Sequence, residues 1–344
     1  MTDYYDGTRL LSMLDSDGNK PEVYLCTTNR TGGKTTFFNR LCTNKFLKNH
    51  SKFCVLYRRK YEIADVAEKF FKDIKSLFFP EYDMTMKLCE KETFARLYLN
   101  KQECGYAIPL SMSEKIKRLS HLFNDVDRML LDEFQSEDNN YVTDEVKKLL
   151  SVHTSVARGQ GQQVRYVPVY LIGNPVTLLN PYYTSMGISN RIRNNTRFMR
   201  GQGWVLEQGF NESASNAVKN SGIMKAFSNE TYTAYASEAV YLNDNYAFID
   251  KPEGKSNYVC TIKCEGKHFA VREYRELGIM YCDNRPDMSF PTKIAVTTDD
   301  HNINYVMLKS NDFVVSSIRY LFRKGCFRFK NLECKDAVLK MLSY

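Results

Sequence analysis

Val23–Phe38 reads VYLCTTNRTGGKTTFF. An apolar run, Val23 to Cys26, breaks into polar and glycine residues, and a segment with helical spacing follows Lys34 and Thr35. Strand, glycine turn, Lys-Thr and helix is the order that cradles nucleotide phosphates. The N–H groups of the turn and of the helix N-terminus point at the anion, and the lysine adds a point charge. The hydroxyl of Thr35 is placed to hold Mg²⁺. Asn29, Arg30, Thr31, Gly32, Gly33, Lys34, Thr35 and Thr36 are therefore the expected phosphate-binding residues. One position departs from the usual G-x-x-x-x-G-K-[ST] spacing, because Thr28 stands where the first glycine belongs. Arg30 brings a second cation to the loop. A glycine turn carrying a solvated lysine would use the same letters, so the loop is judged by what the rest of the chain supplies.

A second apolar strand, Phe53 to Tyr57, ends in Arg58, Arg59 and Lys60. The spacing of Ile63, Val66, Ala67, Phe70, Phe71, Ile74 and Leu77 predicts a helix that Pro80 stops. This β-α-β-α order favours a mostly parallel sheet covered by helices. Further on, Arg128-Met-Leu-Leu-Asp132-Glu133-Phe134 runs an apolar strand into two carboxylates. Ending a buried strand in Asp-Glu makes sense when a cation neutralises them. In P-loop NTPases an aspartate here holds Mg²⁺ and the next glutamate polarises the attacking water. A helix start with acids in its first turn is the competing reading, and it leaves the apolar run unexplained.

Val142 to Ala157 reads as a helix that ends at Arg158-Gly-Gln-Gly-Gln-Gln. Arg158 is placed as an arginine finger would be, reaching a neighbouring subunit's γ-phosphate. Arg165 competes for that role, and a helix C-terminal cation favoured by the macrodipole is the plainer account of Arg158. The strand Val167 to Ile172 closes with Gly173-Asn174-Pro175, where Asn174 is placed to hydrogen-bond phosphate or the lytic water.

The chain has 344 residues, enough for two domains, and 43% are hydrophobic, enough for a sizeable core. Ten cysteines form no C-x-x-C pair and the five histidines are scattered, which argues against a zinc site and a secreted disulfide framework. The N-terminus has no apolar h-region and no stretch approaches a membrane span, so a non-secreted protein without a membrane partner is expected. The net charge is +8. It is concentrated: Val146 to Leu206 holds Lys147, Lys148, Arg158, Arg165, Arg191, Arg193, Arg197 and Arg200 and no carboxylate. Such a run suits polyanions, whether nucleotide or nucleic acid. Lys115, Lys117 and Arg118 are candidate contacts to a phosphate backbone, or else a solvated basic face.

Residues 84–110 read as short antiparallel strands at one sheet edge. Residues 206–230 are small and polar and read as a linker or lid between an ATPase domain (1–205) and a second domain (231–344). In the latter, Tyr258–Cys264, His268–Tyr274 and Leu277–Asp283 form an expected meander. A strand at Ile294–Thr297 and two helices complete an α+β module.

TNRTGGKT (28–35), LYRRK (56–60), GYAIPLS (105–111), LLDEF (130–134), GNPVTLLNPYY (173–183), LGIMYCDN (277–284) and AVTTDD (295–300) occur in this order. Together they resemble the viral genome-packaging ATPases of the large terminase family. More narrowly, they look like the encapsidation ATPases of small tailed phages with protein-primed linear genomes. The resemblance implies an α/β fold: a P-loop ATPase domain of the ASCE type with a mostly parallel central sheet, then a smaller RNase H-like domain. It implies ATP as substrate and Mg²⁺ as cofactor, with Thr35 and Asp132 on the metal and Glu133 as catalytic base. It makes Arg158 a finger acting in trans and Asn174 a sensor or coupling residue. Variant loops of this family tolerate Thr28 and carry an arginine such as Arg30. The implied partners are double-stranded DNA, the portal (connector) of an empty procapsid and, in some members, a packaging RNA, with a genome terminal protein also expected. The implied assembly is a homo-oligomeric ring, usually pentameric, in the host cytoplasm and transiently on the procapsid. The first strand of the meander lacks an acid, leaving Asp283, Asp299, Asp300 and Asp336, so a vestigial nuclease without activity is expected. A P-loop helicase, another nucleic-acid-dependent ATPase, or a non-catalytic DNA-binding protein with a decayed P-loop are the alternatives.

Overall fold

A nine-stranded sheet is built around the apolar run of residues 23–26 in this computed structural model. The structure describes residues 4–138, 140–159, 161, 163–178, 180–189, 191–192, 196–228, 231–238, 241, 250–307 and 312–342. Arg193 and the tip glutamines Gln160 and Gln162 lie outside the described residues. The strands are β1 (Val23–Thr27), β2 (Lys52–Tyr57), β3 (Met84–Cys89), β4 (Phe94–Leu99), β5 (Gln102–Pro109), β6 (Val126–Asp132), β7 (Val169–Gly173), β8 (Phe198–Gly201) and β9 (Trp204–Gln208). Their order is β3-β4-β5-β2-β6-β7-β1-β9-β8. The six from β5 to β9 run parallel, and the hairpins add the antiparallel edges. Parallel strands are covered on both faces, hence the near-continuous apolar runs VYLC, FCVLY and VYLI.

Helices α1 (Thr8–Ser12), α2 (Lys34–Asn49), α3 (Ile63–Phe78), α4 (Ser113–Arg118) and α5 (Glu145–Val156) accompany these strands. Phe38, Cys42 and Phe46 of α2 share one core with Phe53 of β2 and Phe70, Phe71 and Ile74 of α3. Gly105 lets β5 close on β2, since a Cβ there would meet the Phe53 carbonyl oxygen at 2.1 Å. The strand order fixes the chemistry. β7 lies between β1 and β6, so residues that follow these three strands emerge side by side at one edge.

The chain divides into two compact units, one holding Met1–Pro175 with Asn195–Val240, the other Val176–Asn194 with Tyr241–Tyr344. Helix α6 (Pro181–Ser185) thus belongs to the second unit, and α7 (Glu212–Asn220), α8 (Gly222–Ala226) and α9 (Thr231–Glu238) to the first. This differs from the expected boundaries. Residue 205 falls inside β9, and the expected linker 206–230 holds the end of that strand plus α7 and α8. Residue 231 opens α9 of the first unit instead of a second domain. The small polar residues that suggested a linker include a helix cap: the Asn211 side chain accepts from the Ala214 N–H at 2.8 Å.

In the second unit, β10 (Asn257–Cys264), β11 (Lys267–Tyr274) and β12 (Ile279–Asp283) form the antiparallel meander. β13 (Lys293–Ala295) runs parallel to β10 and β14 (Phe327–Phe329) parallel to β12. Helices α10 (Phe313–Arg323) and α11 (Leu332–Leu342) supply Ile318, Phe322, Val338 and Leu339 to a core shared with Ile262, Val271 and Cys282.

Candidate nucleotide-binding site

Gly33 turns the loop after β1 into α2 at φ +91°, a left-handed conformation open to glycine. No side chain caps α2, which leaves its first N–H groups facing outward as an anion site. Tyr4 lies over Gly33, where an added Cβ would meet its ring carbon at 2.7 Å. The Tyr5 N–H donates to the Gly32 carbonyl at 2.8 Å, and its hydroxyl donates to Glu207 Oε2 at 2.6 Å. Thr28 is buried and its hydroxyl donates to the Asn29 carbonyl at 3.0 Å. A hydroxyl thus satisfies the loop's own backbone at the position where a glycine was missed. Asn29 is locked to Asn211, accepting from its N–H at 2.9 Å and donating to its carbonyl at 3.0 Å.

Lys34, Thr35, Asp132 and Asn174 come together as the strand order requires. Lys34 Nζ donates to Asn174 Oδ1 at 2.6 Å, and Thr35 Oγ1 donates to Asp132 Oδ2 at 2.9 Å. Burial pushes the Lys34 ammonium below its usual pKa, with Asp132 pulling the other way. Thr36 follows in the first turn of α2. Thr31 is exposed, with φ +60°.

Glu133 is exposed beside Asp132 and sits at φ +56°, a conformation costing a non-glycine residue about 1–2 kcal/mol. Arg58, at the end of β2, holds it there. Its Nη1 and Nη2 donate to the carbonyls of Glu133 and Phe134, both at 2.8 Å, and its Nε donates to Glu145 Oε2 at 3.1 Å. A cavity of about 280 Å³ opens beside Thr35, Asp132 and Glu133, lined also by Tyr57, Arg58 and Asp65. A hydroxyl and a carboxylate, both hard oxygen donors, suit Mg²⁺ bound with water and phosphate oxygens.

The arginine candidates separate. Arg165 is buried, and its Nη2 donates to the carbonyls of Val126 at 3.1 Å and Val156 at 2.9 Å, with Asp127 at 3.5 Å. Those bonds commit it to the fold of β6 and α5. Arg158 is exposed just past α5. Arg30 pairs with Glu137 in the loop after β6. Lys115, Lys117 and Arg118 are all exposed on α4. Arg58, Glu137, Asn211 and Tyr235 were not singled out for the site by the sequence. The Asn-Glu-Ser-Ala run at 211–214, a helix N-cap signal, could have found α7 in the segment read as a linker.

The model of the podovirus DNA encapsidation protein (Gp16) family matches residues 4–343. The chain belongs to this family. It is 26% identical over 302 residues to the DNA packaging protein of Bacillus phage PZA, covering 87% of this chain and 86% of that one. The same figures hold for the DNA packaging protein of Bacillus phage phi29. Among solved structures, the bacteriophage Phi-29 viral genome packaging motor assembly is similar in fold, with a TM-score of 0.57 at 23% identity over 98% of this chain and 99% of that one. The encapsidation family therefore accounts for the whole described length, both sheets included. Among the described residues no helix is long and apolar enough to cross a membrane.

Proposed function

We propose that the chain is an ATP-driven motor that translocates double-stranded DNA into a preformed capsid. The observation that carries this reading is the convergence of Lys34, Thr35, Asp132, Glu133 and Asn174 at one edge of a parallel sheet, in a chain of an encapsidation family. The α2 N-terminus and Lys34 bind the phosphates. Bound Mg²⁺, held by Thr35 and Asp132, would offset charge on the terminal phosphate. Glu133, fixed by Arg58, polarises the attacking water, and Asn174 passes from Lys34 to phosphate or water as the site fills.

Arg158 completes the site in trans in a ring, pentameric by family analogy, and the α4 cations Lys115, Lys117 and Arg118 hold the DNA backbone without reading sequence. The portal of the procapsid, a packaging RNA and a genome terminal protein are the further partners, met in the host cytoplasm.

The second unit acts without nuclease activity in this reading. Three of its four candidate carboxylates already face a cation, Asp336 through Lys340 Nζ at 2.8 Å. Asp283 faces Arg272 Nε at 3.3 Å and accepts from the Arg285 N–H at 2.7 Å. Asp300 accepts from the N–H groups of Glu265 and Gly266 at 2.6 and 2.8 Å and lies 3.9 Å from Lys263 Nζ.

Mixing Arg158→Ala with Glu133→Gln subunits tests the finger. Recovery of ATP hydrolysis at intermediate ratios is expected, and no recovery at any ratio would overturn action in trans. A strand-separation assay separates the motor from a helicase, because the motor leaves a duplex paired.

A further inference from the structure

The cavity beside Thr35, Asp132 and Glu133 is not confined to the phosphate loop. Asn39 and Phe70 line it as well, so it reaches the second turn of α2 and the middle of α3. Its volume of about 280 Å³ has room for several water molecules, each of which needs about 10–15 Å³. Tyr57 closes β2 and lines the same cavity. Leu56 pairs with Leu131, so Tyr57 and Asp132 follow side by side on neighbouring strands. They share a face of the sheet. Each stands two residues beyond Val55 and Leu130, which pair with each other and pack in one core.

Tyr57 is 4% exposed, and its hydroxyl oxygen is buried without a hydrogen-bond partner. Burial pushes its pKa up, so the group stays a neutral hydroxyl. Thr35, Asn39 and Arg58 on the same wall all donate within the fold, to Asp132, to the Phe70 carbonyl and to the Glu133 and Phe134 carbonyls. An unpaired buried hydroxyl costs free energy that a phenylalanine of the same shape would not. Packing alone therefore gives no reason for the oxygen. The chemistry of the site gives one. Mg²⁺ held by one or two protein oxygens keeps several of its waters, and the ion makes those waters strong donors.

We propose that Tyr57 is a positioning residue of the metal site, its hydroxyl accepting a hydrogen bond from a water of the Mg²⁺ shell beside Asp132. This rests on the reading of Thr35 and Asp132 as the Mg²⁺ ligands. The hydroxyl then contributes to holding the metal and nothing to the fold, so its removal has two different signs. Metal-dependent nucleotide binding weakens, while the stability of the chain itself stays the same or rises. A merely structural hydroxyl would do the reverse.

Tyr57→Phe, made in the full chain, tests this, because it deletes one oxygen and keeps the ring. Thermal unfolding in excess chelator should give a Tm equal to that of the unaltered protein or above it. Mg²⁺ is then titrated at a fixed concentration of a non-hydrolysable ATP analogue, with binding followed by calorimetry. The variant should need about tenfold more Mg²⁺ for half-saturation, the scale of one hydrogen bond to a charged group. Binding of the analogue in chelator should match that of the unaltered protein. A Tm in chelator lower by more than about 2 °C would overturn the proposal. So would a Mg²⁺ midpoint within about twofold of the unaltered one, or equal weakening with and without Mg²⁺. Each of these leaves the ATP-binding reading intact. Binding of the analogue by the unaltered protein with no dependence on Mg²⁺ would overturn the metal assignment too, and no binding at all would overturn both readings.

Discussion

Replacing Arg58 by methionine removes the group that joins three parts of the site. Arg58 is 12% exposed and the Glu145 side chain 0%, so the variant leaves a carboxylate buried without its cation. Breaking such a pair from one side costs about 3–5 kcal/mol. The same Glu145 oxygen also accepts the Val142 N–H at 3.0 Å, so the start of α5 is drawn into the loss. The Glu133 and Phe134 carbonyls regain water more readily and add little. For a cooperative unit of about 150–250 residues each kcal/mol moves Tm by about 2–4 °C, which puts the expected fall at about 6–20 °C. Calorimetry on Arg58→Met, Glu145→Leu and the double variant separates the pair from its surroundings. The double variant should recover at least about 2 kcal/mol of the summed single losses, because it leaves no orphaned charge. Glu133, released from its left-handed conformation, should show a lower kcat in Arg58→Met at temperatures where the fold is intact. A Tm within about 2 °C of the unaltered protein, or losses that add within about 0.5 kcal/mol, would refute the coupling.

Three further outcomes follow from the same geometry. Gly33→Ala places a Cβ 2.7 Å from the Tyr4 ring at φ +91°, so nucleotide binding measured by fluorescence titration should weaken by more than about tenfold as the loop shifts. Changing Lys115, Lys117 and Arg118 together to alanine should weaken DNA binding equally for all sequences. It should also lower the slope of log K against log salt by up to about 2.7, at roughly 0.9 per lost phosphate contact. His153 joins α5 to the Val167 carbonyl and Glu22. Burial lowers its pKa, but Glu22 and the carbonyl outweigh this and leave it raised, and Glu22 is held below its usual range. The raised histidine stabilises the fold below about pH 6.5 and loses its effect as pH rises through its folded pKa. The lowered Glu22 stabilises above about pH 4.5 and loses its effect as pH falls. The Tm difference between the unaltered protein and His153→Gln should therefore be largest between these values and shrink at pH 8.

The chemistry-bearing strands were legible because each pairs an apolar run with a polar residue that a buried parallel strand does not otherwise end on. Val23–Cys26 before the glycine turn, Met129–Leu131 before Asp132, and Tyr170–Ile172 before Asn174 gave the sheet and the site together. The segment after Gly203 was misread for a physical reason. Helices α7 and α8 are short and largely exposed; α7 is rich in small polar residues and α8 is five residues long, so neither carries an apolar run long enough to mark it. The role of this segment depends on long-range contacts, such as Asn29 with Asn211 before α7 and Arg30 with Ala236 of α9, that no local pattern announces. Arg58 was visible only as one of three adjacent cations. Its task depends on β2 lying beside β6, a long-range fact. Thr28 shows the reverse case, a departure from a motif that the structure accommodates with one hydroxyl hydrogen bond.

The assignment of Glu133 to the attacking water bears most directly on the whole account. Steady-state ATP hydrolysis by the Glu133→Gln variant, with nucleotide binding measured on the same sample, decides it. The account predicts binding close to that of the unaltered protein and a kcat lower by at least about 10²-fold, the scale of a lost general base. Hydrolysis by Glu133→Gln at the unaltered rate would contradict it.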